Sequence, residues 1–193
     1  MKTKCKLKLG FFAVLMLVSL AVSAPRYFPA LICSVTIHEL GHLIMARILG
    51  IPMYELKLGI FGAALMPSNT LFSYTDEILL CLFGPLFNFL SVPIAFYLFK
   101  ISPSSMFIIS SLALGFLNLL PISGFDGGRI ASAVFHRIFC ENTARRLTKT
   151  VSFVFIFSLW CLSLYLLMRV GASLTMFVFS VSTFAKIFIP DVC

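Results

Sequence analysis

Long apolar stretches separated by short polar ones dominate this chain. A helix needs roughly 17 to 25 mostly apolar residues to cross a bilayer. Six runs reach or approach that length, at residues 9–24, 28–50, 77–99, 106–124, 150–168 and 171–189. The pattern therefore predicts an all-α polytopic membrane protein with about six transmembrane helices, built as a single domain over residues 1–193.

Between the second and third runs the pattern changes from continuous to alternating. Residues 54–61 alternate polar and apolar side chains for part of their length, and apolar residues continue to Met66. A period of two is typical of β-strands. The sequence here allows either a short membrane-associated β-hairpin or a plain interfacial loop, and a strand edge could bind an extended substrate by β-addition.

Composition and charge support the membrane interpretation. Hydrophobic residues make up 60% of the chain and charged residues 11%, and the mean hydropathy is +1.05, which excludes a soluble domain of this length. With the N-terminus in the cytoplasm, only Arg26, Lys100 and Arg169 of the 15 Lys and Arg residues lie outside. The positive-inside rule thus explains the net charge of +8, and no nucleic-acid partner is predicted.

The first apolar run has a second interpretation as a signal peptide. Lysines precede it, and Val22, Ser23 and Ala24 are small residues that suit a cleavage site. Pro25 directly after that site favours retention as a helix. Either way, the second run would cross from outside to inside.

The second run carries a motif that is typical of zinc hydrolases. His38-Glu39-Leu40-Gly41-His42 is an H-E-x-x-H sequence. Residues four apart share one face of a helix, so His38 and His42 can aim at one metal ion with Glu39 beside them as general base. An ionisable side chain in mid-bilayer costs roughly 2.5 to 3.5 kcal/mol on insertion scales, a cost that a bound ion can offset.

A catalytic zinc site needs three protein ligands and one open position, so a third ligand is expected elsewhere. Of the seven acidic residues, five fall in loops, at segment ends or at the C-terminus. Asp126 is an exception besides Glu39, because it follows a long apolar run. The residues around it, from Pro121 to Gly128, argue against a regular helix, and broken backbone at membrane depth is tolerated where it lines an enclosed or wet cavity.

Three motifs in the same order resemble the site-2 proteases, which are polytopic intramembrane zinc metalloproteases. They are His38–His42, Phe83–Asn88 and Asn118–Arg129, on successive predicted membrane segments. The resemblance covers most of the chain and places the catalytic core at about residues 28–130. It implies hydrolysis of a peptide bond in or near the transmembrane segment of a membrane-tethered substrate.

The resemblance also assigns roles to individual residues. It implies one Zn2+ per chain, held by His38, His42 and Asp126, with Glu39 as the catalytic base. It further implies that four residues lie near the substrate: Gly84, Pro85, Asn88 and Asn118.

Short length and the Asp126-Gly127-Gly128-Arg129 sequence are most similar to the branch of the stage IV sporulation protein FB protease. That similarity implies a multi-pass protein of the bacterial cell membrane, a substrate such as a transcription-factor precursor, and regulatory membrane proteins as partners. Known members carry a C-terminal nucleotide-sensing domain, for which we expect no room here. The branch usually has prolines where this chain has Ser123 and Gly124.

Two other function classes remain open. A metal or proton transporter also carries buried histidines and carboxylates, although it does not require a glutamate next to the first histidine. A catalytically inactive relative that binds membrane clients is the second, although such proteins commonly lose a ligand or the base. Glu39→Gln separates the transporter from the enzyme, because it should change transport in the one and hydrolysis in the other.

Overall fold

Apolar runs and polar breaks produce five helices and three strands among the residues that the computed structural model describes. These residues are 6–9, 28–51, 53–59, 62–67, 73–102 and 105–170. The chain forms two compact units, Met1–Leu119 and Leu120–Cys193. Each unit has its own helices and its own hydrogen bonds.

The described part of the first unit contains a small sheet and three helices. In chain order its elements are β1 (Lys6–Leu9), α1 (Phe28–Ile48), β2 (Met53–Gly59), β3 (Gly62–Pro67), α2 (Tyr74–Tyr97) and α3 (Met106–Leu119). The strands follow the order β1-β2-β3, with β1 parallel to β2 and β2 antiparallel to β3. The segment for which the sequence allowed a hairpin or a loop thus forms two paired strands, with Gly59 opposite Gly62.

Helices α1 and α2 approach each other at Gly41. A Cβ atom at this position would overlap the carbonyl oxygen of Phe83 and lie 2.9 Å from its carbonyl carbon. Only glycine permits so close an approach between two backbones. Nearby, Met45, Ala46 and Leu80 form a buried apolar cluster that holds the same pair of helices together.

Hydroxyl groups join α1 to α3. Ser34 is fully buried, and its Oγ lies 2.8 Å from that of Ser110 and 2.9 Å from that of Ser111. The Ser34 hydroxyl also donates to the main-chain carbonyl oxygen of Ala30 at 2.9 Å. Small hydroxyl side chains are common where membrane helices pack closely, because each satisfies its hydrogen bonds without water.

The second unit contains α4 (Asp126–Ile138) and α5 (Glu141–Val170). The segment before α4 is not helical, as Pro121 predicted, and Gly124 has a φ of +104°, which favours glycine. Gly127 and Gly128 were wrongly expected to prevent a regular helix, because they lie in the first turn of α4. Ser152 of α5 braces this segment. Its Oγ accepts from the Ser123 backbone N–H at 3.1 Å and hydrogen-bonds the Ser123 hydroxyl at 2.9 Å.

Among the described residues, three helices are long and apolar enough to cross a membrane: α1, α2 and the part of α5 from Glu141 to Tyr165. They correspond to the second, third and fifth runs of the sequence. The fourth run gives α3, which has 14 residues and ends at Leu119, two residues before the helix-breaking Pro121. The runs at 9–24 and 171–189 lie outside the described residues, so the count of six spans stays a prediction.

Candidate metal centre

Helix α1 brings the two histidines of the H-E-x-x-H motif together. The Nε2 atoms of His38 and His42 lie 3.1 Å apart, and both side chains are buried, with 5% and 6% exposure. Two nitrogens bound at about 2.0–2.1 Å to one tetrahedral ion would lie about 3.3 Å apart. The observed separation therefore suits a pair of ligands on a single metal ion.

The other ring nitrogen of His42 is fixed by the main chain of α2. Nδ1 of His42 lies 2.8 Å from the carbonyl oxygen of Leu80. A carbonyl oxygen can only accept, so Nδ1 carries the proton. A neutral His42 therefore has its lone pair on Nε2, the atom that faces His38, and metal-binding histidines commonly have such a hydrogen bond behind them.

The other ring nitrogen of His38 contacts a side chain of the same helix α2. The amide nitrogen of Asn88 lies 3.2 Å from Nδ1 of His38, and Asn88 is fully buried. The sequence resemblance predicted that Asn88 lies near the substrate. The observed contact is instead with a proposed metal ligand, although it does not test whether Asn88 also meets a substrate.

Gly84 provides the space that the two imidazole rings occupy. A Cβ atom at this position would overlap Nε2 of His42 and lie 2.9 Å from Cε1 of His38. Leu80, Gly84 and Asn88 are four residues apart, so they follow one face of α2, which we call the histidine-facing stripe. This role accounts for the glycine without a substrate contact.

Pro85, the next residue along α2, is also buried. Proline has no backbone N–H and removes one hydrogen bond from the helix ladder, here the one that the carbonyl oxygen of Cys81 would otherwise accept. The described part of the structure shows no contact of Pro85 that assigns it to a substrate site, so that role stays a prediction.

Glu39 follows His38 on α1 and is half-buried, with its Oε2 atom shielded from solvent. Successive helical residues are about 100° apart around the axis, so its carboxylate projects from the side of α1 adjacent to the histidine pair. A carboxylate there suits a group that exchanges protons with a reactant held beside the histidines.

Asp126 belongs to the second unit, where it is the first residue of α4 and is only 9% exposed. The N-terminus of a helix stabilises a carboxylate, because unsatisfied backbone N–H groups give it partial positive charge. Gly128 allows α4 to begin close to the preceding segment, since a Cβ there would overlap the carbonyl oxygen of Ile122. The local fold thus holds Asp126 at a defined position within its own unit.

Asn118 lies in the last turn of α3 and is 9% exposed. Its Nδ2 donates to the carbonyl oxygen of Leu114 at 3.0 Å, one turn earlier in the same helix. Within the described residues no contact links it to the histidine pair. Its predicted place beside a substrate remains a prediction.

Comparisons with known proteins give a partial family match and a structural match. Residues 100–162 match the model of Peptidase family M50. In addition, the fold is similar to that of the solved "Site-2 Protease from Methanocaldococcus jannaschii", with a TM-score of 0.65 and 20% identity over 94% of this chain and 88% of that one. No curated protein sequence matches the chain significantly. The fold is therefore like that of a site-2 protease.

Proposed function

We propose that this protein is an intramembrane zinc metalloprotease that cleaves a membrane-tethered protein in or near its transmembrane segment. The observation that carries the proposal is the buried histidine pair, whose Nε2 atoms are 3.1 Å apart on a helix long enough to cross a membrane. The partial match to Peptidase family M50 and the site-2-protease-like fold support the same chemistry.

His38, His42 and Asp126 are the proposed metal ligands in this mechanism. Two imidazole nitrogens and a carboxylate oxygen form a common donor set for catalytic zinc, which leaves one position open. When bound by these residues, the ion would supply Lewis acidity toward the scissile carbonyl group and would make water a stronger acid. Because both histidines lie on α1, this chemistry would take place at the depth of the membrane segment.

Glu39 moves the proton that peptide hydrolysis requires. Its carboxylate accepts a proton as the water oxygen bonds to the carbonyl carbon, and it returns that proton to the amide nitrogen as the C–N bond breaks. The products are a carboxylic acid and an amine, which exchange one proton at neutral pH to become a carboxylate and an ammonium group. In a helical substrate the carbonyl oxygen is hydrogen-bonded within the chain, so the segment must unwind before it can react.

The third ligand can be tested without a known substrate. We expect the detergent-purified wild type to hold about one zinc ion per chain and Asp126→Ala to hold close to none, because two histidines alone bind zinc much more weakly than three ligands. Metal content measured by mass spectrometry gives the result. Glu141→Gln is the matched control, because it removes an exposed carboxylate at the start of α5 and should keep the zinc.

Two results would contradict this assignment. Wild-type protein that holds no metal after gentle purification would remove the basis for a metalloprotease and favour a client-binding relative. Zinc retained by Asp126→Ala would show that another group is the third ligand. A substrate such as a transcription-factor precursor, and a role in sporulation, rest on the sequence resemblance alone.

A further inference from the structure

A directional chain of hydrogen bonds runs from α2 through both histidines and back to α2. The amide N–H of Asn88 donates to Nδ1 of His38, whose Nε2 faces Nε2 of His42, and Nδ1 of His42 donates to the Leu80 carbonyl oxygen. The direction is fixed at the Leu80 end, because a carbonyl oxygen cannot donate. In this series of hydrogen bonds, a neutral His38 carries its proton on Nε2.

That proton position conflicts with metal binding by His38. A nitrogen that binds a cation must offer its lone pair, so the proton of His38 must then lie on Nδ1. Nδ1–H would face the amide N–H of Asn88, and two donors would oppose each other at 3.2 Å. A buried donor without an acceptor is costly, so the arrangement needs another partner for Nδ1–H.

Asn88 itself contains the acceptor that is needed. Its Oδ1 atom is buried and accepts no hydrogen bond from the described residues. The oxygen and nitrogen ends of a side-chain amide have nearly the same shape, so a half-turn about χ2 exchanges them without moving the backbone. The exchange would place Oδ1 where Nδ2 now meets His38.

We propose that Asn88 is a positioning residue for His38: its carboxamide oxygen accepts the Nδ1–H hydrogen bond and so directs the Nε2 lone pair of His38 to the metal ion. The inference depends on the proposed metalloprotease function and gives Asn88 a role other than substrate contact. Leu80 does the same for His42 with a main-chain carbonyl. The histidine-facing stripe of α2 therefore orients both ligands.

The surroundings of Asn88 favour this role. The side chain of Asn88 is fully buried. The Oγ of Ser91 donates to the main-chain carbonyl oxygen of Asn88 at 2.7 Å, which adds a hydrogen bond to this turn of α2. Partners of this kind typically change metal affinity by about 10- to 100-fold.

The test compares zinc affinities, measured by competition with a chelator, for full-length protein in detergent. Asn88→Asp offers only acceptors to Nδ1–H, and we expect it to bind zinc as tightly as wild type or more tightly. Asn88→Leu offers none, and we expect its affinity to fall about 10- to 100-fold. Asn88→Ala serves the same comparison if the leucine variant does not fold.

Ser111→Ala is the control, because it loses a buried hydrogen bond between α1 and α3 but touches neither histidine. We expect its zinc affinity to stay within about twofold of wild type, well short of the loss of about 10- to 100-fold expected for Asn88→Leu. Equal affinities for the aspartate, leucine and alanine variants would overturn the inference and leave Asn88 as a packing or substrate-contacting residue. Absence of zinc from the wild type would instead refute the proposed function, so the two failures are distinguishable.

Discussion

Gly84→Ala is expected to lower zinc affinity by about 100-fold or more, a loss at or above the upper end for groups that orient metal ligands. The added methyl group would overlap the His42 ring and crowd the His38 ring. Relief by a shift of α2 away from α1 is opposed, because it would separate the buried residues Met45, Ala46 and Leu80 that pack between the two helices. The two imidazole rings must therefore turn so that their Nε2 atoms no longer face each other. A chelator titration of the purified variant would detect the weaker zinc binding.

Gly115→Ala is the matched control for this substitution. Gly115 is another buried helical glycine, and a Cβ there would come 2.8 Å from a ring atom of Phe89. That neighbour is a side chain that can change its rotamer, so zinc affinity should remain near the wild-type value. Normal zinc binding by Gly84→Ala would contradict this role and leave the substrate contact that the sequence resemblance predicted.

Glu39→Gln is expected to reduce the rate of peptide hydrolysis by about 10²- to 10⁴-fold while zinc content stays near one ion per chain. Glutamine has nearly the same shape but cannot accept the proton of the attacking water. The rate would be measured in proteoliposomes on a tethered transmembrane peptide that contains a helix-weakening glycine or proline. Metal content of the same preparation gives the second readout.

The control for this experiment is Glu77→Gln, which neutralises a carboxylate in the first turn of α2 and should leave hydrolysis nearly unchanged. Full activity of Glu39→Gln would contradict the role of Glu39 as base. Loss of zinc from that variant would instead identify Glu39 as a ligand. If the protein were a transporter, wild type and Glu39→Gln would both hold the metal and neither would hydrolyse the peptide. Only ion flux would then differ between them.

The sequence predicted the parts of this protein that depend on local pattern. The spacing of His38 and His42 predicted that they share one helical face, and the structure brings their Nε2 atoms together. Continuous apolar runs predicted α1, α2 and most of α5. Pro121 and Gly124 predicted the break before α4. In each case the information lies within a few residues of the feature.

Features that depend on contacts between distant segments were not predicted. No strand was predicted at the lysine-rich N-terminus, but Lys6–Leu9 form a strand parallel to β2. Ser152 lies 29 residues from Ser123, and nothing in its local sequence marks it as a brace for the segment before Asp126. Gly84 and Asn88 were noticed as parts of a motif, yet only the packing of α2 on α1 shows that they face the histidines.

The main-chain contact between α1 and α2 at Gly41 has a mechanical consequence. Flexible side chains absorb small displacements by changing rotamer, whereas the backbones of two intact helices in contact cannot. A tilt imposed on α2, such as one that follows a change in bilayer thickness, is therefore transmitted to α1. We therefore expect the two helices to move as one rigid pair, so that the histidine rings keep their contacts with Leu80 and Asn88 in membranes of different thickness.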